Sequence, residues 1–513
     1  MPGVRGDLEW GSVPGLVRSA VERFGDREGI VDGDTRLTFA QLADMGRRAA
    51  EALAASGIGK GDRVAIWAPN IHEWVATLIG IHTAGGVLVP INTRFKGPEA
   101  AHVLGTSGAR LLFTVQGFLD TDYVGMLKGE GVDIHTVLLR GDVPEGMTSW
   151  AGFLDRAREG GAGDTSLPTV GPDDLSDILF TSGTTGKPKG VMSTHGQTLR
   201  AFADWSDVIG LREGDRYLIV NPFFHAFGYK AGILACLMRG ATMVPHAVFD
   251  PKSVLARIPE ERISMLPGPP ALYQSILNDP DLATADISSL RLAVTGAAVI
   301  PVELIHRMQK ELGFETVVTG YGLTECTGVA TMCRHDDDPE TIATTSGRAI
   351  PDVEVKLADD GEILVRGYNV MQGYFDDPEQ TAEAIDADGW LHTGDVGEMD
   401  ERGYVRITDR KKDMYIVGGF NAYPAEIENV MLGHDAIAQV AVVGVPDERL
   451  GEVGMAFVVC RSGQTVDPDE VIAWCRDRMA NYKVPRRVEV VDALPLNASG
   501  KVRKYELRDR ARA

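Results

Sequence analysis

The sequence predicts an α/β protein of largely parallel sheets followed by a smaller α+β unit. Through the first four-fifths of the chain, short β-rich runs alternate with helical stretches, an order that calls for crossover helices between parallel strands. From about Glu354 strands and turns follow one another closely, and beyond the charged cluster Asp409-Arg410-Lys411-Lys412-Asp413 a fresh helix and strand pattern begins. A chain of 513 residues also exceeds what one hydrophobic core ordinarily serves, so at least two domains are expected, with the boundary at that cluster.

The elements follow in order. Val64-Ala65-Ile66-Trp67, Leu111 to Val115, Tyr217 to Val220 and Leu292 to Thr295 are apolar runs of strand length. The longest apolar region, Trp74 to Ile91, is broken by His82, Gly85-Gly86 and Pro90, and so reads as a buried helix and then a strand, not a membrane span. In Pro301 to Glu311 the apolar Val302, Leu304, Ile305 and Met308 meet at three- and four-residue offsets, as on one face of a helix. Gly361 to Gly367 and Gly403 to Ile407 read as strands with turns. The last unit is read as helix Pro424 to Leu432, strands Gln439 to Val445 and Ala456 to Cys460, and helix Pro468 to Met479. In such a fold ligands gather at the carboxyl ends of the strands.

Composition narrows the function. With 44% hydrophobic and 24% charged residues the chain is ordinary globular protein, with no repeat and no low-complexity tract. A net charge of −22 disfavours nucleic acid and anionic membranes as partners, so any site for a polyanionic small molecule must be locally positive. From Tyr482 to Ala513 there are nine Lys/Arg against four Asp/Glu, which either supplies that charge or is a solvated basic tail. Five cysteines, with no CxxC spacing, indicate neither a zinc site nor a disulfide framework and fit a reducing cytoplasm. Met1 to Asp7 has no apolar signal core, and no lipidation box is seen.

The strongest local signal is TSGTTGKPKG at Thr181 to Gly190. Its glycines and hydroxyl residues follow the apolar run Ile178-Leu179-Phe180, so that backbone N–H groups and hydroxyls can turn toward anionic oxygens. It is not a Walker loop: the position five before Gly186 is Thr181, and Lys187 is followed by Pro188. The segment resembles the signature of the adenylate-forming superfamily, which comprises acyl-CoA synthetases, peptide-synthetase adenylation domains and beetle luciferases. The resemblance runs from about Gly29 to Lys504. It implies a large N-terminal domain of two mainly parallel sheets plus a distorted β-barrel (residues 1–409), a hinge (410–412) and a small mobile α+β C-terminal domain (413–513). It also implies ATP and CoA as substrates, with Mg²⁺ as the metal.

Further segments carry the resemblance residue by residue. It makes Thr181, Ser182, Gly183, Thr184, Thr185, Gly186 and Lys187 the phosphate loop. In Phe223-Phe224-His225-Ala226-Phe227 an aromatic-bracketed histidine would ordinarily be a core residue, but the resemblance makes His225 a switch beside the carboxylate and the α-phosphate. Gly296, Ala297 and Ala298 would be a strand-end turn by themselves and are the adenine wall by resemblance. In Tyr321-Gly322-Leu323-Thr324-Glu325, Tyr321 offers a ring face to adenine, Thr324 a hydroxyl to phosphate, and Glu325 a hard anionic oxygen suited to Mg²⁺. Asp395, otherwise an acidic surface turn, and Arg410 are the implied ribose partners. Lys412 falls at the hinge. Gly418, Gly419 and Phe420 line the implied pantetheine tunnel for CoA, although as physics alone that loop is equally a hairpin turn. Leu494 to Lys501 matches the C-terminal catalytic-lysine motif, and a mobile cation between carboxylate and α-phosphate stabilises the transition state that joins them. Lys501, His225, Thr324 and Glu325 are thus the expected catalytic group.

The pocket segment lacks the aspartate that holds an α-amino group in peptide-synthetase domains, and no carrier segment follows Lys501, so free CoA is the expected acceptor. FFHAFGYKAGILACL, LPGPPALYQS and KDMYIVGGFNAYPAEIE resemble the actinobacterial ligases that activate a methyl-hydrindanedione propanoate left by steroid ring degradation. Phe223, Phe227 and Tyr229 are then expected to wall a bulky apolar pocket. Lys230 either reaches a ketone oxygen or stands on a helix surface. The expected reaction is carboxylate, ATP and CoA to acyl-CoA, AMP and pyrophosphate through an acyl-adenylate, with small molecules as partners and a homodimer left open. The alternatives are a medium- or long-chain fatty or aromatic acid ligase, a luciferase-like oxidoreductase that shares the adenylation machinery, and a binding protein with a vestigial site.

Overall fold

The computed structural model describes residues 4–159, 167–182, 188–296, 300, 302–410, 414–461, 463–495, 502 and 504–512. Two mainly parallel sheets carry most of the chain. The first runs Gly373–Tyr374, Pro188–Thr194, Leu175–Ser182, Val87–Pro90, Arg63–Trp67, Leu111–Val115, His135–Arg140 and Thr148–Ser149. Its pairing is parallel from Leu175–Ser182 onward and antiparallel on the side of Pro188–Thr194 and Gly373–Tyr374. The second places Arg216–Ile219, Thr242–Pro245 and Glu28–Asp32 in parallel, with Thr35–Thr38 antiparallel at the edge. Bridges through Met265 continue it to Leu292–Gly296 and Thr316–Tyr321, which pair in parallel.

Burial on both faces explains the unbroken apolar runs. Val64, Ala65, Ile66 and Trp67 are all fully buried, because helices cover both sides of a parallel sheet. The expected helix after Trp74 is His72–Thr83, buried along nearly its whole length, and the strand after it is Val87–Pro90. Its close packing against Phe39–Ala55 depends on small residues. A Cβ on Gly46 would lie 2.4 Å from Ile79 Cγ2, and one on Gly80 would lie 2.6 Å from Ala49 Cβ. Thr38 and Gln41 start the helix Phe39–Ala55 with a reciprocal capping box.

After the two sheets comes an open half-barrel of four antiparallel strands, Val353–Leu357, Glu362–Gly367, Leu391–Met399 and Val405–Arg410. The C-terminal unit is a five-stranded sheet in the order Phe420–Ala422, Tyr415–Val417, Gly451–Cys460 and Ile437–Asp447, with Arg487–Val490 parallel beside Gly451–Cys460. Both long strands extend beyond the sequence reading because they form one continuous hairpin, in which Asp447 pairs with Gly451. Arg487–Val490, exposed at both ends, was not expected as a strand. All five cysteines are unpaired. Among the described residues no helix is long and apolar enough to cross a membrane.

Two histidines are buried without an anionic partner in contact. His195 begins the helix His195–Val208, its Nδ1 accepts the N–H of Val13 at 3.3 Å, and its ring stands edge-on to His82 at 4.9 Å. Burial is the main cause holding His195 near 4 and His82 well below the ordinary value of 6.5. Between pH 6.5 and 4 the unfolded chain takes up a proton at residue 195 that the folded chain refuses. That stability is therefore complete above pH 6.5 and lost as pH falls toward 4, by about 2 kcal/mol at pH 5. Urea unfolding of wild type and His195→Gln at pH 7 and pH 5 checks this. The difference in stability between the two proteins should narrow by roughly that amount at pH 5, and a pH-independent difference would contradict it.

Candidate active site

The carboxyl ends of the parallel strands open onto one cavity of about 1530 Å³. Residues just past Arg63–Trp67 (Pro69, Asn70), Val87–Pro90 (Asn92), Arg216–Ile219 (Asn221, Pro222) and Thr242–Pro245 (Val248, Phe249) all line it. So do the ends of Leu175–Ser182 (Phe180, Thr181), Leu292–Gly296 (Thr295, Gly296) and Thr316–Tyr321 (Tyr321). This is the crevice that parallel sheets leave for a ligand.

Several of the expected site residues meet there. Thr181 pairs with Lys189 and Ser182 with Pro188, so the two strands frame the segment between them; Gly183, Thr184, Thr185, Gly186 and Lys187 lie outside the described residues. Gly296 sits at φ 156, and a Cβ there would lie 2.8 Å from the carbonyl oxygen of Gly320. At Gly322 a Cβ would meet the Gly328 oxygen at 2.5 Å. Both positions therefore keep backbone at the cavity surface. The Tyr321 hydroxyl donates to Asp395 Oδ2 at 2.7 Å, and burial, reinforced by Asp395, keeps that phenol protonated. Asp395 is in turn the register partner of Arg410 across the half-barrel strands. Tyr374 donates to Glu325 Oε1 at 2.8 Å and its ring lies under Lys189 Nζ at 5.0 Å, so the acidic residue is held from behind. Thr324 lines the cavity beside it.

His225 caps the short helix Ala226–Gly228, its Nδ1 accepting the N–H of Phe227 at 3.2 Å. The neutral imidazole must then carry its proton on Nε2. Water reaches the ring through the cavity, while the surrounding protein lowers its pKa below the ordinary value. Phe227 lines the cavity and meets Trp205 edge-on at 6.3 Å.

Three of the expected acyl-pocket residues are not at the surface of the cavity. Phe223 is fully buried against Trp74, with ring centres 5.3 Å apart. Tyr229, also fully buried, shares a 3.1 Å hydrogen bond with His82. Lys230 neither faces the ligand space nor stands on a helix surface: it is completely buried, 3.0 Å from Asp177 Oδ1 and 3.2 Å from Ser193 Oγ. The cause is a π-helical stretch, Tyr229–Leu234, that follows directly on Ala226–Gly228 and rotates the next residues inward. Asp177 lies on the strand that leads to Thr181, so the pair ties that strand to the helix bearing His225 and Phe227.

Gly418 and Gly419, at φ 55 and 87, form the two-residue turn of a hairpin in which Val417 pairs with Phe420. The turn also faces the cavity, and a Cβ on Gly419 would lie 3.5 Å from Pro269. Lys412, Lys501, Ala297 and Ala298 lie outside the described residues, as does the Arg410 side chain. The local positive charge comes from scattered elements: Arg94, Lys96, Lys189, Arg406, Arg449 and Arg486 line the cavity against the carboxylates of Glu325 and Asp395. Of the basic C-terminal stretch, Arg486 is the contributor among the described residues. Sequence reasoning missed Asn70 and Tyr374. Asn70 donates to the carbonyls of Ile219 and Asn221 and accepts from Phe223 N–H, fixing the entry to the His225 segment from a distant loop, and no local signal marks it.

Comparison with known proteins agrees with this architecture. Residues 17–375 match the AMP-binding enzyme family, and residues 426–501 match the AMP-binding enzyme C-terminal domain. The chain is 52% identical to 3-(7a-methyl-1,5-dioxo-octahydroinden-4-yl)propanoyl:CoA ligase of Rhodococcus jostii, over 97% of this chain and 98% of the relative. It is similar to the o-succinylbenzoate CoA synthetase of Bacillus subtilis bound with a product analogue (TM-score 0.82, 29% identity, 96% of this chain and 98% of the other). It is also similar to ATP-bound MatB from Rhodopseudomonas palustris (TM-score 0.68, 29% identity, the same coverages). With these matches along nearly its full length, the chain belongs to the AMP-binding enzyme family, among its acyl-CoA ligases.

Proposed function

We propose that this protein is an acyl-CoA ligase acting on a methyl-hydrindanedione propanoate in two half-reactions at one cavity. The observation that carries the reading is the meeting, on that cavity's surface, of the phosphate-loop strand end at Thr181, the segment Tyr321 to Glu325, Asp395 and the Gly418-Gly419 turn, beside the aromatic wall of Phe227, Trp205 and Phe202. The 52% identity to the Rhodococcus ligase supports the acid.

In the first half-reaction a carboxylate oxygen of the acid attacks the α-phosphorus of ATP, the bond to the β-phosphate breaks, and pyrophosphate leaves. Asp395 and Arg410 hold the ribose, the strand at Thr181 and its loop hold phosphate oxygens, and Thr324 donates to one of them. Lys501 stabilises the charge that gathers between acid and α-phosphate. A magnesium ion would fit the donor set, since Glu325 gives one oxygen to Tyr374 and keeps lone pairs for a hard cation. Such an ion supplies charge neutralisation on the phosphates. His225, neutral and with its proton on Nε2, can donate to the α-phosphate or the carboxylate without adding charge.

In the second half-reaction the CoA sulfur attacks the acyl carbon and the bond to the AMP oxygen breaks, releasing AMP. One face of the small domain cannot both press Lys501 on the α-phosphate and open a path for a thiol, which motivates a rotation about Lys412. The Gly418-Gly419 turn faces the cavity in this structure. That placement favours a thiol-transfer arrangement. A homodimer is compatible with the scheme and plays no part in it.

Two measurements test this reading. Lys501→Ala should slow acid-dependent ATP–pyrophosphate exchange by roughly 10²-fold or more while leaving thioester formation from supplied acyl-adenylate near wild type. An equal fall in both would remove the division of labour. The second compares kcat/KM for the hydrindanedione propanoate, octanoate, benzoate and acetate under saturating ATP and CoA. At about 0.8 kcal/mol per buried CH₂, leaving several ring carbons' worth of space unfilled should put acetate orders of magnitude below the bicyclic acid. Better use of octanoate or benzoate would leave the ligase and overturn the steroid-derived substrate.

A further inference from the structure

At the contact between the small C-terminal unit and the large part of the molecule, one lysine is sealed between two carboxylates. Lys483 Nζ lies 2.6 Å from Glu99 Oε1 and 2.5 Å from Glu426 Oε1, with side chains 1, 9 and 6% exposed. Glu99 stands in the first turn of the helix Gly97–Ser107, where its other oxygen accepts the N–H of Lys96 at 2.9 Å. Glu426 stands in the first turn of Pro424–Met431, on the C-terminal side. Lys483 and Glu426 both belong to the C-terminal unit, and Glu99 is the member that belongs to the large part of the molecule. Rings surround the contact: Lys483 Nζ lies 4.5 Å from the centre of Phe95, Arg94 stacks over Phe420 at 4.6 Å, and Phe420 stacks on Tyr482 at 4.9 Å.

We propose that Glu99 is a positioning residue for thiol transfer, the fixed half of a buried ionic latch that Lys483 closes when the C-terminal unit docks with its glycine turn at the cavity. The inference rests on the two-half-reaction reading above. The lysine already fills the space between the carboxylates, so the triad is not a cation site. Tyr482 adjoins Lys483 in the chain, Phe420 adjoins Gly419, and the two rings stack, so seating the lysine on Glu99 also seats the Gly418-Gly419 turn against Pro269. A buried ion pair suits a contact that must form and break in every turnover. Its attraction is largely offset by the hydration that the charges recover on separation, which leaves strict geometry at modest net strength. An apolar contact of the same size would hold in many registers and release slowly.

Glu99→Gln tests it. The substitution keeps the shape and the acceptor for Lys96 N–H, and leaves Lys483 neutralised by Glu426. Acid-dependent pyrophosphate exchange should remain within about 2-fold of wild type, which also shows the variant folded, while thioester formation from supplied acyl-adenylate falls on the order of 10-fold. Glu99→Asp should recover part of the loss. Fluorescence energy transfer between dyes on the two bodies should report a shift away from the docked distance in Glu99→Gln without substrates. Parallel loss of both half-reactions, or unimpaired transfer, would overturn the latch, as would an unaltered dye distance whatever the chemistry. A wild-type protein without acid-dependent exchange would instead overturn the ligase reading, and a dye-distance shift would still establish the docking contact.

Discussion

Parallel strands all finish on the same side, and that constraint produces the site. The parallel strands of the two main sheets all deliver their carboxyl ends to that side, where the backbone N–H and C=O groups leave the ladder without a partner in it. Here those ends converge from both sheets on a single space. Asn70 spends its whole amide on the carbonyls of Ile219 and Asn221 and the N–H of Phe223, which fixes one such end without closing the cavity. Gly296 and Gly322 keep other ends free of side chains, so the cavity surface there is backbone. The half-barrel adds Asp395, and the small unit adds its glycine turn.

Charge is arranged against the grain of the whole molecule. A chain with net charge −22 repels polyanions at long range, yet cations from six positions face this cavity. They come from the loop after Val87–Pro90, the strands Pro188–Thr194 and Val405–Arg410, and the C-terminal unit. Behind the cavity wall, Lys230 and Asp177 are a different case. Fully buried and paired, they neutralise each other and fix the strand of Thr181 against the helix of His225 and Phe227. A buried pair of this kind sets geometry more than it adds stability.

Much of the site was legible through the family resemblance. Tyr321 to Glu325, Gly296, Asp395 and Gly418-Gly419 were marked by it, since each segment alone also reads as a cap, a strand-end turn, an acidic turn or a hairpin, and all of them line the cavity. In FFHAFGYKAGILACL, by contrast, nearly every residue is apolar or aromatic, so no periodicity separates an inner from an outer face. The π-helical stretch then shifts the phase that a regular helix would have kept, and Tyr229 and Lys230 turn into the core, where Phe223 before the helix is also buried, while Phe227 stays at the cavity. The contacts of Asn70, Tyr374 and Glu99 join residues far apart in the chain and leave no local trace. The strand Arg487–Val490 was hidden for a related reason: its pattern is that of a half-exposed edge, and its partner Gly451–Cys460 is what defines it.

The central claim is that one cavity performs two chemical steps in sequence, with an acyl-adenylate held between them. The most direct measurement is a single-turnover experiment with enzyme in excess over the bicyclic acid, ATP present and CoA withheld, followed by quenching and mass detection of enzyme-bound species. The account predicts acyl-adenylate in near-stoichiometric yield with an equal amount of pyrophosphate, and its conversion to acyl-CoA and AMP when CoA is added. Thioester formation without a CoA-independent adenylate, or release of pyrophosphate that does not depend on the acid, would contradict it.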